Sequence, residues 1–130
     1  MSEHCDHLGC RNAEACIDFS FIYTEKKEAK HLDTGKVALQ YVLVFKGLDE
    51  VAKVGEFGAK KYGQFNYKAG ASYMRFLGSC TRHLASFIRG EDKDIESGFS
   101  HLAHLIFDAL MLLDWIDRKV GQDDRYKDNA

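Results

Sequence analysis

Two imidazoles and two carboxylates interrupt a mostly apolar stretch near the C-terminal end of the sequence. Asp94, Ser97, His101, His104 and Asp108 stand among Phe99, Leu102, Leu105, Ile106, Leu110 and Leu112. On a helical wheel of about 100° per residue these five polar residues fall in one wedge of about 80°. Such groups are too costly to bury without partners, so they must meet a metal ion, opposite charges, water or a substrate. A lone histidine on an apolar face would be read as a satisfied core residue. A whole seam, with Glu91 and Glu96 beside it, points instead to a site.

The donor types narrow the chemistry. Glu91, Asp94, Glu96 and Asp108 are hard oxygen donors, better suited to Mg²⁺ or Mn²⁺ than to zinc, and Glu50 adds another acid upstream. Facing them in composition are Lys36, Lys53, Lys60, Lys61, Arg75 and Arg82, cations of the kind that hold phosphate oxygens. A carboxylate-bound divalent ion beside a basic wall is what hydrolysis of a phosphate ester or anhydride needs. The sequence has neither a Gly-x-x-x-x-Gly-Lys-Ser/Thr loop nor a Gly-x-Ser-x-Gly elbow, so water is the expected nucleophile.

The elements that must position these residues read as helices. Asp49 is the expected N-cap of a helix running to Tyr62, which Gly63 should end. Gln64 to Gly70 reads as a polar-aromatic loop, and Ser72 as the cap of a helix over Tyr73 to Arg89, closed by Gly90. That helix carries Tyr73, Phe76, Leu77, Cys80, Leu84, Phe87 and Ile88 on one side and a polar stripe of Arg75, Ser79, Arg82, Ser86 and Arg89 on the other. The apolar periodicity then predicts one long helix from Asp94 to Lys119, suited to an interior or an oligomer interface. Upstream, Asp33-Thr34-Gly35-Lys36 reads as a turn, followed by a helix bent near Gly47.

Composition bounds the rest. The 130 residues suit a single domain, and 45% hydrophobic with 29% charged residues excludes a disordered or collagen-like chain. A formal charge of −2 gives no global field toward nucleic acid or an anionic membrane, so neither is an expected partner. With no apolar run long enough for a membrane span and no signal-peptide pattern at Met1-Ser2-Glu3-His4, a cytoplasmic location is expected. Proline is absent, which together with the periodicity favours an all-α fold. Cys5, Cys10 and Cys16 lie near His4 and His7, but their spacing fits no standard zinc knuckle, so free thiols are the default.

Several strings taken together resemble a known family. Asp33-Thr34-Gly35-Lys36, Glu50-Val51-Ala52-Lys53-Val54, Phe57-Gly58-Ala59-Lys60-Lys61-Tyr62-Gly63, Asn66-Tyr67-Lys68-Ala69-Gly70, Arg82-His83-Leu84, Gly90-Glu91-Asp92, Asp94-x-Glu96-Ser97-Gly98 and His101-Leu102-Ala103-His104 occur in this order between about Lys30 and Trp115. They resemble the phage and bacterial dATP/dGTP diphosphohydrolase-like domain (MazZ-like), within the all-α MazG-type nucleoside triphosphate pyrophosphohydrolases. The resemblance implies a helical bundle, oligomeric through its long helices as a homodimer or homotetramer. It also implies hydrolysis of a purine deoxynucleoside triphosphate, dGTP or dATP, to the monophosphate and pyrophosphate, with Mg²⁺ or Mn²⁺ assisting water attack at the α-phosphorus. Residue by residue, it implies Glu50, Glu91, Asp94, Glu96 and Asp108 as metal ligands and Glu50, Glu96 and His104 as catalytic groups. Lys36, Lys60, Lys61, Asn66, Tyr67, Arg82 and His101 become the substrate contacts. The setting would be nucleotide-pool metabolism in a phage-infected host cytoplasm.

The sequence departs from the MazG pattern in four places. Lys53 stands where a second acid of Glu-x-x-Glu is expected after Glu50, His101-x-x-His104 occupies a place where acids are expected, and Asp108 replaces a frequent Asn; Val42 to Lys46 also replaces a Pro-containing stretch. The organisation expected is an N-terminal Cys/His-containing extension over 1–29, a MazG-like domain over 30–120 and a charged, frayed tail over 121–130. Two other functions compete with the hydrolase: a catalytically silent nucleotide-binding or helical assembly protein, and a zinc-stapled interaction module built on Cys5, Cys10, Cys16 and His4 or His7.

Overall fold

The structure, a computed structural model, describes residues 29–128. The chain divides into two compact units, Met1–Val37 and Ala38–Ala130. The cysteines and histidines considered for zinc at positions 4–16 lie outside the described residues. Of the first unit, residues 29–37 are described: Lys36 N–H donates to Asp33 O at 3.0 Å, closing the expected turn with Gly35 at φ 82°, and His31 pairs with Asp33.

The second unit is helical, with no strand among the described residues. A single turn, α1 (Gln40–Leu43), precedes α2 (Gly47–Tyr62), a 3₁₀ turn (Asn66–Ala69), α3 (Tyr73–Ile88) and α4 (His101–Arg118). The all-α expectation holds. None of these helices is long and apolar enough to cross a membrane.

Local chemistry explains most boundaries. Ser72 caps α3 by accepting from Arg75 N–H at 3.2 Å, and Gly63 ends α2 at φ 98° with its N–H on Ala59 O. Two expectations need correction. α2 begins at Gly47, so Asp49 lies inside its first turn rather than at the cap, where a carboxylate still favours the helix dipole. The predicted helix from Asp94 begins only at His101, capped by Ser100 accepting from Leu102 N–H. Residues 89–100 form a compact loop instead, pinned by Asp94 N–H to Phe99 O at 2.8 Å and an antiparallel bridge between Lys93 and Ser100. Gly98, at φ 76°, makes the reversal that a helix could not.

Helix α4 is the centre of the unit, packed by α3 on one side and α2 on the other. Tyr73, Met111, Leu112 and Trp115 form one apolar cluster, supported by Phe76 and Phe107. Trp115 is only 1% exposed, and its indole N–H is satisfied by Tyr67 O at 2.7 Å. Val51 and Val54 of α2 meet Ala103 of α4 in a second cluster.

The charged tail is docked rather than frayed over its first residues. Gln122 exchanges backbone bonds with Ala71 and Tyr73, and Asp124 accepts from Ser72 Oγ and from Met74 N–H at the start of α3. The crossing is tight: a Cβ on Gly70 would lie 2.5 Å from Gly121 N, and a Cβ on Gly121 2.8 Å from Ala71 O. Both glycines also have positive φ, 78° and 81°, so the approach requires glycine on both sides.

Candidate functional site

A cavity of about 830 Å³ opens between the end of α2, the 3₁₀ turn, the face of α3 and the first half of α4. Its walls differ in chemistry. Phe57, Tyr62, Phe65, Tyr67, Phe76 and Phe107 supply aromatic surface, while Asp94, Glu96, His104 and Asp108 supply acids and imidazole. Arg75, Ser79, Arg82 and His83 arrive together because positions i, i+4, i+7 and i+8 share one face of α3.

The loop before α4 presents its acids through local bonds. Asp94 Oδ2 accepts from Ser97 N–H at 2.9 Å, and Ser97 Oγ meets His104 Nε2 at 2.6 Å, which brings His104 to 4.0 Å from Asp94. Glu96 pairs with Lys61 of α2. His83 bridges the two helices: its ring stacks on His104 with centroids 4.6 Å apart, and its Nδ1 lies 2.8 Å from His101 Nδ1. His101, 4% exposed, turns its Nε2 toward Glu91 Oε2 at 3.2 Å.

Electrostatics follow from burial. Desolvation holds His83 below the ordinary histidine range, with His101 and Arg82 adding to the effect and Asp108 and Asp94 opposing it. His104 is lowered in the same way, by burial first and then by His83, so both imidazoles are neutral near pH 7. Burial pushes Asp94 up, but hydrogen bonds from Ser97 and the nearby His104 and His83 outweigh it and leave the carboxyl below its usual value. Burial raises Asp108 against a Ser79 hydrogen bond and the attraction of His83 and Arg82. Asp108 is 8% exposed, and its Oδ2 has no hydrogen-bond partner.

That orphaned oxygen is a test of whether the residues present suit a divalent cation. A buried carboxylate oxygen without a donor costs free energy unless something positive meets it; separately, one oxygen of Asp94 and one nitrogen each of His83 and His101 lie within 4.8 Å of one another. The donor chemistry therefore fits a divalent cation.

Of the residues singled out from the sequence, Lys61, Asn66, Tyr67, Arg82, Asp94, Glu96, His104 and Asp108 line this cavity. His101 joins it through His83, and Glu91 stands behind His101. Glu50 and Lys60 do not line it; Glu50 instead pairs with Lys53 one turn along α2 at 2.9 Å. Lys36 belongs to the first unit. Sequence reasoning passed over His83, although it sits beside Arg82 in a quoted string and on the same helical face as Ser79.

A "dATP/dGTP diphosphohydrolase" of Salmonella phage PMBT28 is 35% identical over 78 residues, 59% of this chain and 26% of that protein. The chain thus spans about a quarter of the length of the curated relative it matches. No solved structure matches it. The family model described as "dATP/dGTP diphosphohydrolase, N-terminal" matches residues 25–125, a span that includes every described cavity residue, and the chain belongs to that family.

Proposed function

We propose that this domain hydrolyses a purine deoxynucleoside triphosphate, dGTP or dATP, to the monophosphate and pyrophosphate. One observation carries this: a single cavity of nucleotide size gathers guanidinium groups, acids, neutral imidazoles and aromatic rings. The name of the phage relative supports the same substrate class.

Each wall has a task. Arg75 and Arg82, on one face of α3, hold phosphate oxygens through charge-assisted hydrogen bonds. Tyr67 and Phe107, edge to face at 5.8 Å, offer rings for a purine to stack on, with Asn66 beside them for a polar base or sugar contact. Water attacks the α-phosphorus, a P–O bond forms, the bond to the bridging oxygen breaks, and pyrophosphate leaves with that electron pair. His104, held by Ser97 and lining the cavity, takes the proton that the water loses. Asp94 and Asp108 would hold Mg²⁺ or Mn²⁺, with Glu96 on the same cavity lining and Glu91 behind His101. When bound, such an ion offsets charge on the phosphate oxygens and makes water easier to deprotonate.

A second copy completes the proposed assembly. Leu102, Ile106, Leu110, Leu113 and Ile116 form an exposed apolar stripe along α4, the spacing by which helices pair into homodimers. The setting is nucleotide-pool metabolism in the host cytoplasm, in keeping with the phage source of the relative.

A competing function is nucleotide binding without turnover, favoured by the pairing of Glu50 with Lys53 away from the cavity. Separation of products from a panel of nucleoside triphosphates, with Mg²⁺ and with Mn²⁺, decides between them. Monophosphate plus pyrophosphate, with dGTP or dATP preferred, is expected; tight binding with no product in any metal would support the silent module.

A further inference from the structure

We infer that His83, Asp94 and His101 form a two-histidine, one-carboxylate site that takes a first-row transition-metal dication of the Mn²⁺ to Co²⁺ class in preference to Mg²⁺, and that Glu91 positions His101 for it. This rests on the metal requirement proposed above and narrows it: Asp94 is common to both ligand sets, while His83 and His101 take the place of Asp108 in direct contact with the ion.

The three donor atoms lie within 4.8 Å of one another. Two nitrogens bound at right angles to one ion at about 2.1 Å would stand roughly 3 Å apart. The Nδ1 atoms of His83 and His101 are 2.8 Å apart, so the pair needs little movement to accept an ion between them and Asp94. That short contact holds only if one nitrogen carries a proton and the other does not. Glu91 decides which: its Oε2, 3.2 Å from His101 Nε2, accepts a hydrogen bond from Nε2–H and leaves the His101 Nδ1 lone pair facing His83. A carboxylate behind a metal-ligating histidine fixes tautomer and ring orientation in just this way.

A second observation points to the same ion. Asp108 is buried and lines the adjoining cavity with an unpartnered Oδ2. A buried carboxylate oxygen that nothing among the described residues satisfies thus belongs to the same cavity lining as His83 and Asp94.

The donor set sets selectivity. Mg²⁺ demands near-octahedral oxygen ligation and gives up its waters reluctantly, whereas imidazole favours the later first-row ions. Two histidines and one carboxylate leave open positions for water or phosphate oxygens, the arrangement of facial-triad sites.

The test is titration of the chelator-stripped full chain with Co²⁺, read by its visible d–d absorption and not by turnover. One Co²⁺ per chain should be lost in His83→Ala, the difference between the two proteins excluding any contribution from Cys5, Cys10 or Cys16. Glu91→Gln should keep the stoichiometry and weaken affinity by about 10–100-fold. In the unaltered chain, Mg²⁺ should displace Co²⁺ only at roughly tenfold excess or more. An unchanged band in folded His83→Ala, or displacement by equimolar Mg²⁺, would overturn the inference. Hydrolysis in Mg²⁺ without a Co²⁺ band would sink this site and leave the proposed reaction standing; a Co²⁺ band without hydrolysis would do the reverse.

Discussion

The two halves of α4 spend burial on opposite things. Its second half buries Met111, Leu112 and Trp115 in an apolar cluster where the Trp115 indole N–H is satisfied at 2.7 Å. Its first half buries His101 and Asp108, the latter with an oxygen left unpartnered. Each fully buried apolar side chain stabilises a fold by about 1.5–3 kcal/mol, while a buried unpaired carboxylate works against it. One helix thus anchors the fold at one end and stores an unfavourable polar cluster at the other, as expected where a site needs dry, pre-set charge. Substitutions in the two halves should therefore separate stability from activity.

The largest effect should come from the polar half. His104→Ala is expected to lower kcat about 100-fold or more in a protein whose thermal midpoint barely moves; retained turnover would place the proton acceptor elsewhere. In the apolar half the pattern should invert. Trp115→Ala should cost roughly 3–5 kcal/mol in denaturant unfolding, and any activity loss should track the unfolded fraction.

Gly121→Ala sharpens the contrast from outside α4, because it strains a positive-φ crossing that abuts Ala71 and touches no polar cavity group. A loss of about 1–3 kcal/mol is expected with kcat per folded molecule unchanged. Smaller again is Asp108→Asn, which should stabilise the fold by on the order of 1 kcal/mol while weakening metal-dependent turnover. Destabilisation there would mean that the buried carboxylate is already satisfied.

The smallest effect is a pH dependence at Asp124. Ser72 and Met74 N–H hold its carboxyl below the usual range. Its contribution is present above the unfolded carboxylate value and is lost as pH falls through the lower folded one. Asp124→Asn should therefore flatten the acid limb of the midpoint-versus-pH curve slightly.

Much of this was legible in the sequence where the signal is local. Ser72, Gly63 and Gly90 mark their helix ends because capping and positive φ act within a few residues. The start of α4 was misread for the same reason. Asp94 accepting from Ser97 N–H imitates a helix cap, and the wheel kept Asp94 and Ser97 on the His104 side although Gly98 turns the chain between them. The polar seam still meets, since the loop folds back to where a helix would have carried it.

His83 was not legible, because its partners are on another helix and periodicity within α3 does not say which of them it will meet. Glu50 shows the converse. A motif position suggests a ligand, yet Glu50 pairs with Lys53 at i+3 and is not among the residues that line the cavity.

The central claim is that water attacks the α-phosphorus in the cavity between α2, α3 and α4. Hydrolysis of dGTP or dATP in ¹⁸O-labelled water, with mass analysis of both products, tests it most directly. Label confined to the deoxynucleoside monophosphate is the predicted result. Label in the pyrophosphate, or in released orthophosphate, would place the attack at another phosphorus and contradict the account.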